Sequence, residues 1–121
     1  MSKHTIAHIE LSAKDRKVSK KFYAEVFEWK FQDYEEMNYT TFETGEGVGG
    51  GFSPVGEDNP AGTVTVYIQT DDVTASLAKV TAAGGTVLMT EQEIPNVGKF
   101  GTFRDPSGNM VGLVKWAPPP K

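Results

Sequence analysis

The chain has 121 residues, 38% of them hydrophobic and 23% charged, as expected for one globular domain with a real core. Its formal net charge of −4 argues against nucleic acid and anionic membranes as partners, because both select basic surfaces. Cysteine is absent, which excludes disulfides and thiol nucleophiles. No apolar run is long enough to span a membrane and no secretory signal opens the chain, so we expect a cytoplasmic protein.

The first predicted strand covers residues 5–11 and alternates with the period of two that strands require. His8 and Glu10 share one face and are expected to point into the interior of the fold. The other face is apolar and is expected to pack on a helix: Ala7, Ile9 and Leu11.

A helix is predicted next, with Ser12 or Asp15 as its N-cap. Val18, Phe22 and Val26 recur at a spacing of four residues, which predicts that they form its buried face. The lysines and arginines around them are interpreted as a solvated face.

Aromatic and threonine-rich strands are predicted over residues 29–34 and 39–44. A fourth strand begins near Val48 and is interrupted by the glycines 49–51. A phosphate-binding loop would need a helix after the glycines, but Phe52-Ser53-Pro54 follows. The run is therefore interpreted as a bulge, or as a close approach of a ligand or another backbone.

The pattern then starts again. Residues 63–70 alternate as a strand with Thr65 and Tyr67 on one face, and Asp71 or Asp72 caps a second helix. Thr65 follows His8 by 57 positions, the same offset that separates Asp72 from Asp15. The sequence thus predicts a duplicated strand-helix-strand-strand-strand unit, with modules at about 4–56 and 63–116. The stripe predicted to bury the second helix is Val73, Leu77 and Val80.

The best specified turn lies in Arg104-Asp105-Pro106-Ser107-Gly108-Asn109 and joins two strands. Asp105 can bond its own backbone, Pro106 fixes a turn φ, and Gly108 tolerates positive φ. The strand predicted after it covers residues 110–116.

These motifs resemble the glyoxalase, bleomycin-resistance and extradiol dioxygenase superfamily, also called vicinal oxygen chelate proteins. The likeness covers nearly the whole chain. It rests on the first strand, on Phe22-Tyr23 followed by Phe27-Glu28-Trp29, on Ala83-Gly84-Gly85, and on the Asp-Pro turn. The resemblance implies an α+β fold of paired βαβββ modules that form a curved mixed sheet or partly open barrel, with helices outside. Relatives also commonly form homodimers, so we expect a homodimer.

In metal-binding relatives, His, Gln or Glu ligands come from the first and last strands of each module. At the matching positions this chain has His8, a glycine of the run 49–51, Thr65 and Gly112. A catalytic divalent metal usually takes three protein ligands. We therefore expect no metal and no other cofactor.

The interior implied by the resemblance gives a candidate site for a small organic molecule. His8 and Glu10 are the candidate catalytic residues, because a His beside a carboxylate can act as a general acid or base near neutral pH. A role limited to hydrogen bonding with Glu10 or Tyr67 is the alternative for His8. The candidate substrate-binding residues, whose aromatic members could equally belong to the core, are Phe52, Thr65, Tyr67, Phe100, Gly112 and Trp116.

Three functions fit the sequence. One is metal-independent lyase- or isomerase-type chemistry of the glyoxalase kind. The second is sequestration of a planar or cationic small molecule such as an antibiotic, as bleomycin-resistance relatives do. The third is an interaction module without a ligand. A shared fold does not choose among them.

Overall fold

The computed structural model describes residues 4–57 and 59–118. Its helices and strands follow the order βαβββ twice, and we call strands β1 to β4 with their helix the first module and β5 to β8 with theirs the second. The elements are β1 (Ile6–Ala13), α1 (Arg16–Phe27), β2 (Lys30–Tyr34), a 3-10 turn (Glu35–Met37), β3 (Tyr39–Glu43), β4 (Gly50–Pro54), β5 (Val64–Gln69), α2 (Val73–Ala82), β6 (Thr86–Ile94), β7 (Gly98–Arg104) and β8 (Met110–Trp116).

The two modules have the same internal topology. In the first, β1 runs parallel to β4, which pairs antiparallel with β3, and β3 pairs with β2. In the second, β5 runs parallel to β8, which pairs antiparallel with β7, and β7 pairs with β6. The predicted class, an α+β fold with two βαβββ modules in a mixed sheet, is confirmed. In the described ranges neither helix has the length and apolar character needed to cross a membrane.

Aromatic side chains form the core of the first module. Phe52 is 0% exposed and clusters with the buried Ala13 and Phe42. Tyr23 of α1 lies on this cluster, with its ring centroid 4.9 Å from that of Trp29 and 5.8 Å from that of Phe52. Stacked aromatic pairs stabilise a fold by more than the burial of their apolar area alone. Tyr23 therefore anchors α1 on its sheet.

The prediction of which face of α1 is buried is wrong. Val18, Phe22 and Val26 are 66%, 54% and 54% exposed. The side of α1 that meets the strands carries Tyr23 together with two cations. Arg16 donates to Thr40 Oγ1 at 2.9 Å, and Lys20 Nζ lies 2.7 Å from a carboxylate oxygen of Asp33 on β2.

Those polar bonds set the rotation of α1 about its axis. Thr40 is 0% exposed, and its hydroxyl donates to Asp33 at 2.7 Å while it accepts from Arg16. The bonds from Lys20 and Thr40 lower the pKa of the Asp33 carboxyl below its ordinary value. A buried hydroxyl must keep its partners. The helix therefore turns Arg16 and Lys20, at i and i+4, toward the strands and leaves the apolar stripe outside.

The core of the second module follows the prediction at Val73 and Leu77, whereas Val80 is only half-buried. Asp72 caps α2 by accepting from the Ala75 amide at 2.9 Å. Val73 and Leu77 are buried against Leu113 of β8. The partly buried side chains around them come from strands β5, β6 and β7: Ile68, Val87 and Phe103.

The turn before β8 has the bonding that the sequence predicts. The Asp105 carboxylate accepts from the backbone N–H groups of Ser107 and Asn109 at 3.0 and 2.9 Å, and from the Asn109 side chain at 3.0 Å. Bonds to a carboxylate favour its charged form, so these contacts, led by the Asn109 side chain, lower the pKa of Asp105. Gly108 takes a φ of 91°. The strand after it is Met110–Trp116, as predicted.

Candidate functional site

The predicted catalytic residues come together in the first module. His8 and Glu10 lie two residues apart on β1, so they share a face of the strand. Leu11 and Ala13 lie on the opposite face, where they pack in the core with Phe52. Tyr39 reaches this face from β3 and touches both residues. We call His8, Glu10 and Tyr39 the His8 cluster.

The hydrogen bonds of the cluster run from His8 as donor, through the Tyr39 hydroxyl, to Glu10 as acceptor. The Tyr39 hydroxyl donates to Glu10 Oε2 at 3.0 Å, because a carboxylate can only accept. His8 Nε2 lies 2.8 Å from the same hydroxyl oxygen. Since the hydroxyl has one hydrogen and gives it to Glu10, Nε2 must carry a proton and donate to Tyr39. A neutral His8 then has its lone pair on Nδ1.

The surroundings favour the neutral form of this histidine. Burial lowers the pKa of the His8 imidazole below its ordinary value of 6.5, because the charged form loses hydration. His8 is half-buried. The neutral form of the imidazole is therefore favoured at neutral pH.

This pKa shift predicts a loss of stability in acid. The His8 imidazole has its higher pKa in the unfolded chain, so the unfolded chain takes up the proton first as the pH falls. The free energy of unfolding is therefore undiminished by this group above pH 6.5 and falls as the pH drops toward the pKa of the folded state. We expect His8→Gln to lose less unfolding free energy than the parent between pH 7.5 and pH 5, measured by urea denaturation. The matched control is His4→Gln, at an exposed position. Equal pH dependence in the parent and His8→Gln would contradict the shift.

In the second module, the strand registers place four predicted residues on one face. Tyr67 pairs with Gly112 between β5 and β8, and Thr102 of β7 pairs with Gly112 from the other side. Phe100 and Trp116 lie on this same face by alternation from Thr102 and Gly112. A Cβ on Gly112 would overlap the Tyr67 ring. The space that glycine leaves is therefore occupied by Tyr67.

Two further predicted residues have different surroundings. Phe52 does not share the face of His8, which corrects its assignment as a substrate-binding residue: its ring is fully buried under α1, and its neighbour Gly51 faces the cluster instead. Thr65 is 3% exposed and lies two residues before Tyr67 on β5, on the same face of that strand.

A cavity of about 320 Å³ in the first module opens at the start of α1. Residues 13–17 line it together with Asn38, Pro54 and Val55. None of the predicted site residues contributes to it. A pocket lined by the predicted site residues stays a prediction.

The residues at the family's metal positions do not fit a metal site. In ranges 4–57 and 59–118, no three His, Cys, Asp or Glu side chains are arranged so that they could hold an ion. His8 and Glu10 together supply at most two ligands, and the Tyr39 hydroxyl bonds both of them. Two ligands fall short of the three that a catalytic divalent metal usually takes.

Sequence reasoning missed Tyr39. One sequence signal was available: the glycine run on β4 leaves room for a large ring. The structure uses that room, because a Cβ on Gly51 would overlap the Tyr39 ring and hydroxyl.

Protein relatives match parts of the chain or most of it. The CFP32 proteins of Mycobacterium bovis and Mycobacterium tuberculosis are 43% identical over 53 residues, 44% of this chain and 20% of theirs. The anthracycline biosynthesis protein DnrV of Streptomyces peucetius is 43% identical over 44 residues, 36% of this chain and 16% of its own. The chain thus spans about a fifth of the length of these relatives. A glyoxylase-like domain-containing protein of Didymella fabae is 32% identical over 116 residues, 89% of this chain and 91% of its own.

Solved structures share the fold at low identity. A hypothetical protein of Bacillus halodurans superposes with a TM-score of 0.75 at 13% identity, over 99% of both chains. Methylmalonyl-CoA epimerase of Mycobacterium tuberculosis superposes with a TM-score of 0.72 at 10% identity, over 98% of this chain and 93% of its own. The model of the Glyoxalase/Bleomycin resistance protein/Dioxygenase superfamily matches residues 5–113. The chain belongs to this superfamily.

Proposed function

We propose that this protein binds a small organic molecule at the His8 cluster and moves a proton on it without a metal, in an isomerase- or lyase-type reaction. The observation that carries the proposal is the directed chain of hydrogen bonds from His8 through Tyr39 to Glu10. It gives a neutral imidazole with a lone pair on Nδ1. It also connects the imidazole to a carboxylate.

The chemistry of the cluster suits a carbon acid, meaning a substrate with a C–H next to a carbonyl. Nδ1 of His8 takes that proton, and the electron pair of the C–H bond moves into the enolate. The imidazolium returns a proton to the same carbon or to a neighbouring carbon, so no atom is gained or lost, and because its Nδ1–H can first exchange with water the returned proton can come from the solvent. Glu10 stabilises the imidazolium through the Tyr39 hydroxyl. A positioned base of this kind contributes roughly 10²–10⁴-fold in rate.

The comparisons support this reading only at the level of the fold. The neighbour named methylmalonyl-CoA epimerase carries out an isomerisation on the same architecture, at 10% identity. Superfolds host many chemistries, so the residues of the site must decide. In this chain those residues are a histidine and a carboxylate joined by a tyrosine.

A thermal-shift screen of carbonyl compounds, coenzyme A thioesters and aromatic antibiotics would identify the ligand. A ligand that binds only the folded state raises the unfolding midpoint by mass action. We expect a carbonyl compound to raise the midpoint, and the parent protein to convert it to an isomer or a cleavage product. His8→Gln should keep the midpoint shift and lose the conversion by about 10²-fold or more. Conversion at the parent rate by His8→Gln would contradict the role of His8.

Metal independence is part of the proposal. We expect elemental analysis of the purified protein to find far less than one zinc, nickel, iron or manganese per chain. We also expect added chelator to leave conversion unchanged. About one tightly held metal per chain, with conversion lost on chelation, would contradict this prediction.

Sequestration of a planar molecule is the second candidate, and two observations favour it. Tyr67, Phe100 and Trp116 share one face of the second module, where Trp116 is 40% exposed. Part of the chain also resembles an anthracycline biosynthesis protein. In this case an aromatic antibiotic would raise the unfolding midpoint and be recovered unaltered. Trp116→Ala would then weaken binding, while His8→Gln would not.

A further inference from the structure

We propose that Tyr39 is a positioning residue for His8, and that Gly51 is the residue that makes this position available to it. The inference rests on the proposed function, in which His8 is the base. It adds the means by which the protein fixes the proton on Nε2 of that base. Neither Tyr39 nor Gly51 has to touch the substrate.

The strand registers show why the two residues depend on each other. Glu10 of β1 pairs with Gly51 of β4, and Thr41 of β3 pairs with Gly51 from the other side. Gly51 therefore lies in the centre of the face, between β1 and the strand that carries Tyr39. The ring of Tyr39 crosses over Gly51 to reach Glu10 and His8. Any Cβ at position 51 would overlap the ring and the hydroxyl of Tyr39.

The second module provides an internal comparison. Tyr67 pairs with Gly112 in the register that Glu10 and Gly51 occupy in the first module, and the Tyr67 ring fills the space over Gly112. In the second module, the residue that pairs with the glycine, Tyr67, itself supplies the ring that fills this space. In the first module that residue is Glu10, and a tyrosine from a different strand supplies the ring. This exchange leaves a carboxylate beside the hydroxyl and brings the hydroxyl within 2.8 Å of His8.

Two substitutions disconnect the cluster without replacing His8 or Glu10. Tyr39→Phe keeps the ring but removes the hydroxyl, so Nε2–H loses its acceptor and Glu10 loses a donor. Gly51→Ala keeps the hydroxyl but displaces the ring that carries it. If both residues act through the same hydrogen bonds, the two variants must behave alike. The matched control is Gly56→Ala, because an added Cβ there meets no atom of residues 4–57 and 59–118 within 4 Å.

The test is proton NMR of protein labelled with ¹⁵N in its histidines. A ring N–H held in a hydrogen bond and half-buried is protected from exchange with water, so we expect a downfield Nε2–H signal of His8 in the parent and in Gly56→Ala. The assignment is made by its absence in His8→Gln. We expect the signal to vanish in both Tyr39→Phe and Gly51→Ala. With a converted substrate, Tyr39→Phe should lower kcat by about tenfold and change KM little.

The outcomes separate this inference from the proposed function. Survival of the signal in Tyr39→Phe overturns the role of Tyr39. Loss in Tyr39→Phe with survival in a folded Gly51→Ala overturns the role of Gly51. If Gly51→Ala does not fold, Gly51→Ala combined with Tyr39→Ala, which removes the overlapping ring, should restore folding, and failure of that rescue also overturns the role of Gly51. If no compound is ever converted, the proposed function fails, whereas the NMR result still decides whether Tyr39 and Gly51 position His8.

Discussion

Replacing Phe52 with Ala should lower the free energy of unfolding by about 3–5 kcal/mol, the usual cost of removing a buried phenylalanine ring. Phe52 is 0% exposed and touches the aromatic side chains that join α1 to its strands. Its removal would leave a cavity beneath Tyr23. Urea denaturation followed by far-ultraviolet circular dichroism measures the loss.

Phe22→Ala is the matched control, because it removes the same ring from an exposed position on α1. Its loss should be no more than about 1 kcal/mol, since its described ring contact is an edge contact with the adjacent Tyr23. The hydrophobic spacing of α1 taken alone predicts the opposite order. A larger loss for Phe22→Ala than for Phe52→Ala would show that the helix is rotated toward its apolar stripe.

The second large effect is expected at Gly50. In the parallel pairing of β1 with β4, an added Cβ at this position would overlap the carbonyl oxygen of Ile9 and lie 2.7 Å from the ring of Phe42. A backbone oxygen in a sheet cannot move aside as a flexible side chain can. Overpacking costs typically about 1–3 kcal/mol and sometimes more, so we expect Gly50→Ala to lose about 3 kcal/mol or more.

Gly56→Ala serves as the control for this prediction as well, and its stability should stay within about 0.5 kcal/mol of the parent. Both proteins are compared by urea denaturation at the same pH. A loss below half a kcal/mol in Gly50→Ala would mean that β1 and β4 are farther apart than their described pairing. The result also tests the interpretation of the glycine run as a close approach of backbones.

The second module could be predicted well because its local signals agree with its packing. The Asp105 turn specifies where β8 begins, and the N-cap of α2, predicted at Asp71 or Asp72 and found at Asp72, specifies where that helix begins. Val73 and Leu77 of the predicted stripe are then buried against Leu113 of β8. Where capping, turn chemistry and hydrophobic period point the same way, sequence reasoning succeeds.

Two errors in the first module have identifiable physical causes. Arg16 and Lys20 face the strands because Thr40 and Asp33 offer them partners, and a hydrophobic pattern cannot reveal partners on other strands. The predicted place of Phe52 in the interior with His8 differs from its buried position under α1, because the glycines before Phe52 have no side chains and alternation gives no register there. The position of Tyr39 over Gly51 depends on contacts between two strands, which no pattern within one strand encodes.

The measurement that tests the central claim most directly is exchange of the substrate C–H with solvent in D₂O, followed by NMR on a carbonyl compound that passes the thermal-shift screen. With metal-free, chelator-treated protein, we expect deuterium to enter the carbon next to the carbonyl at a catalysed rate. The rate should fall by about 10²-fold or more in His8→Gln and remain at the parent value in His4→Gln. Undiminished exchange in His8→Gln, or exchange that appears only when a divalent metal is added, would contradict proton transfer by His8.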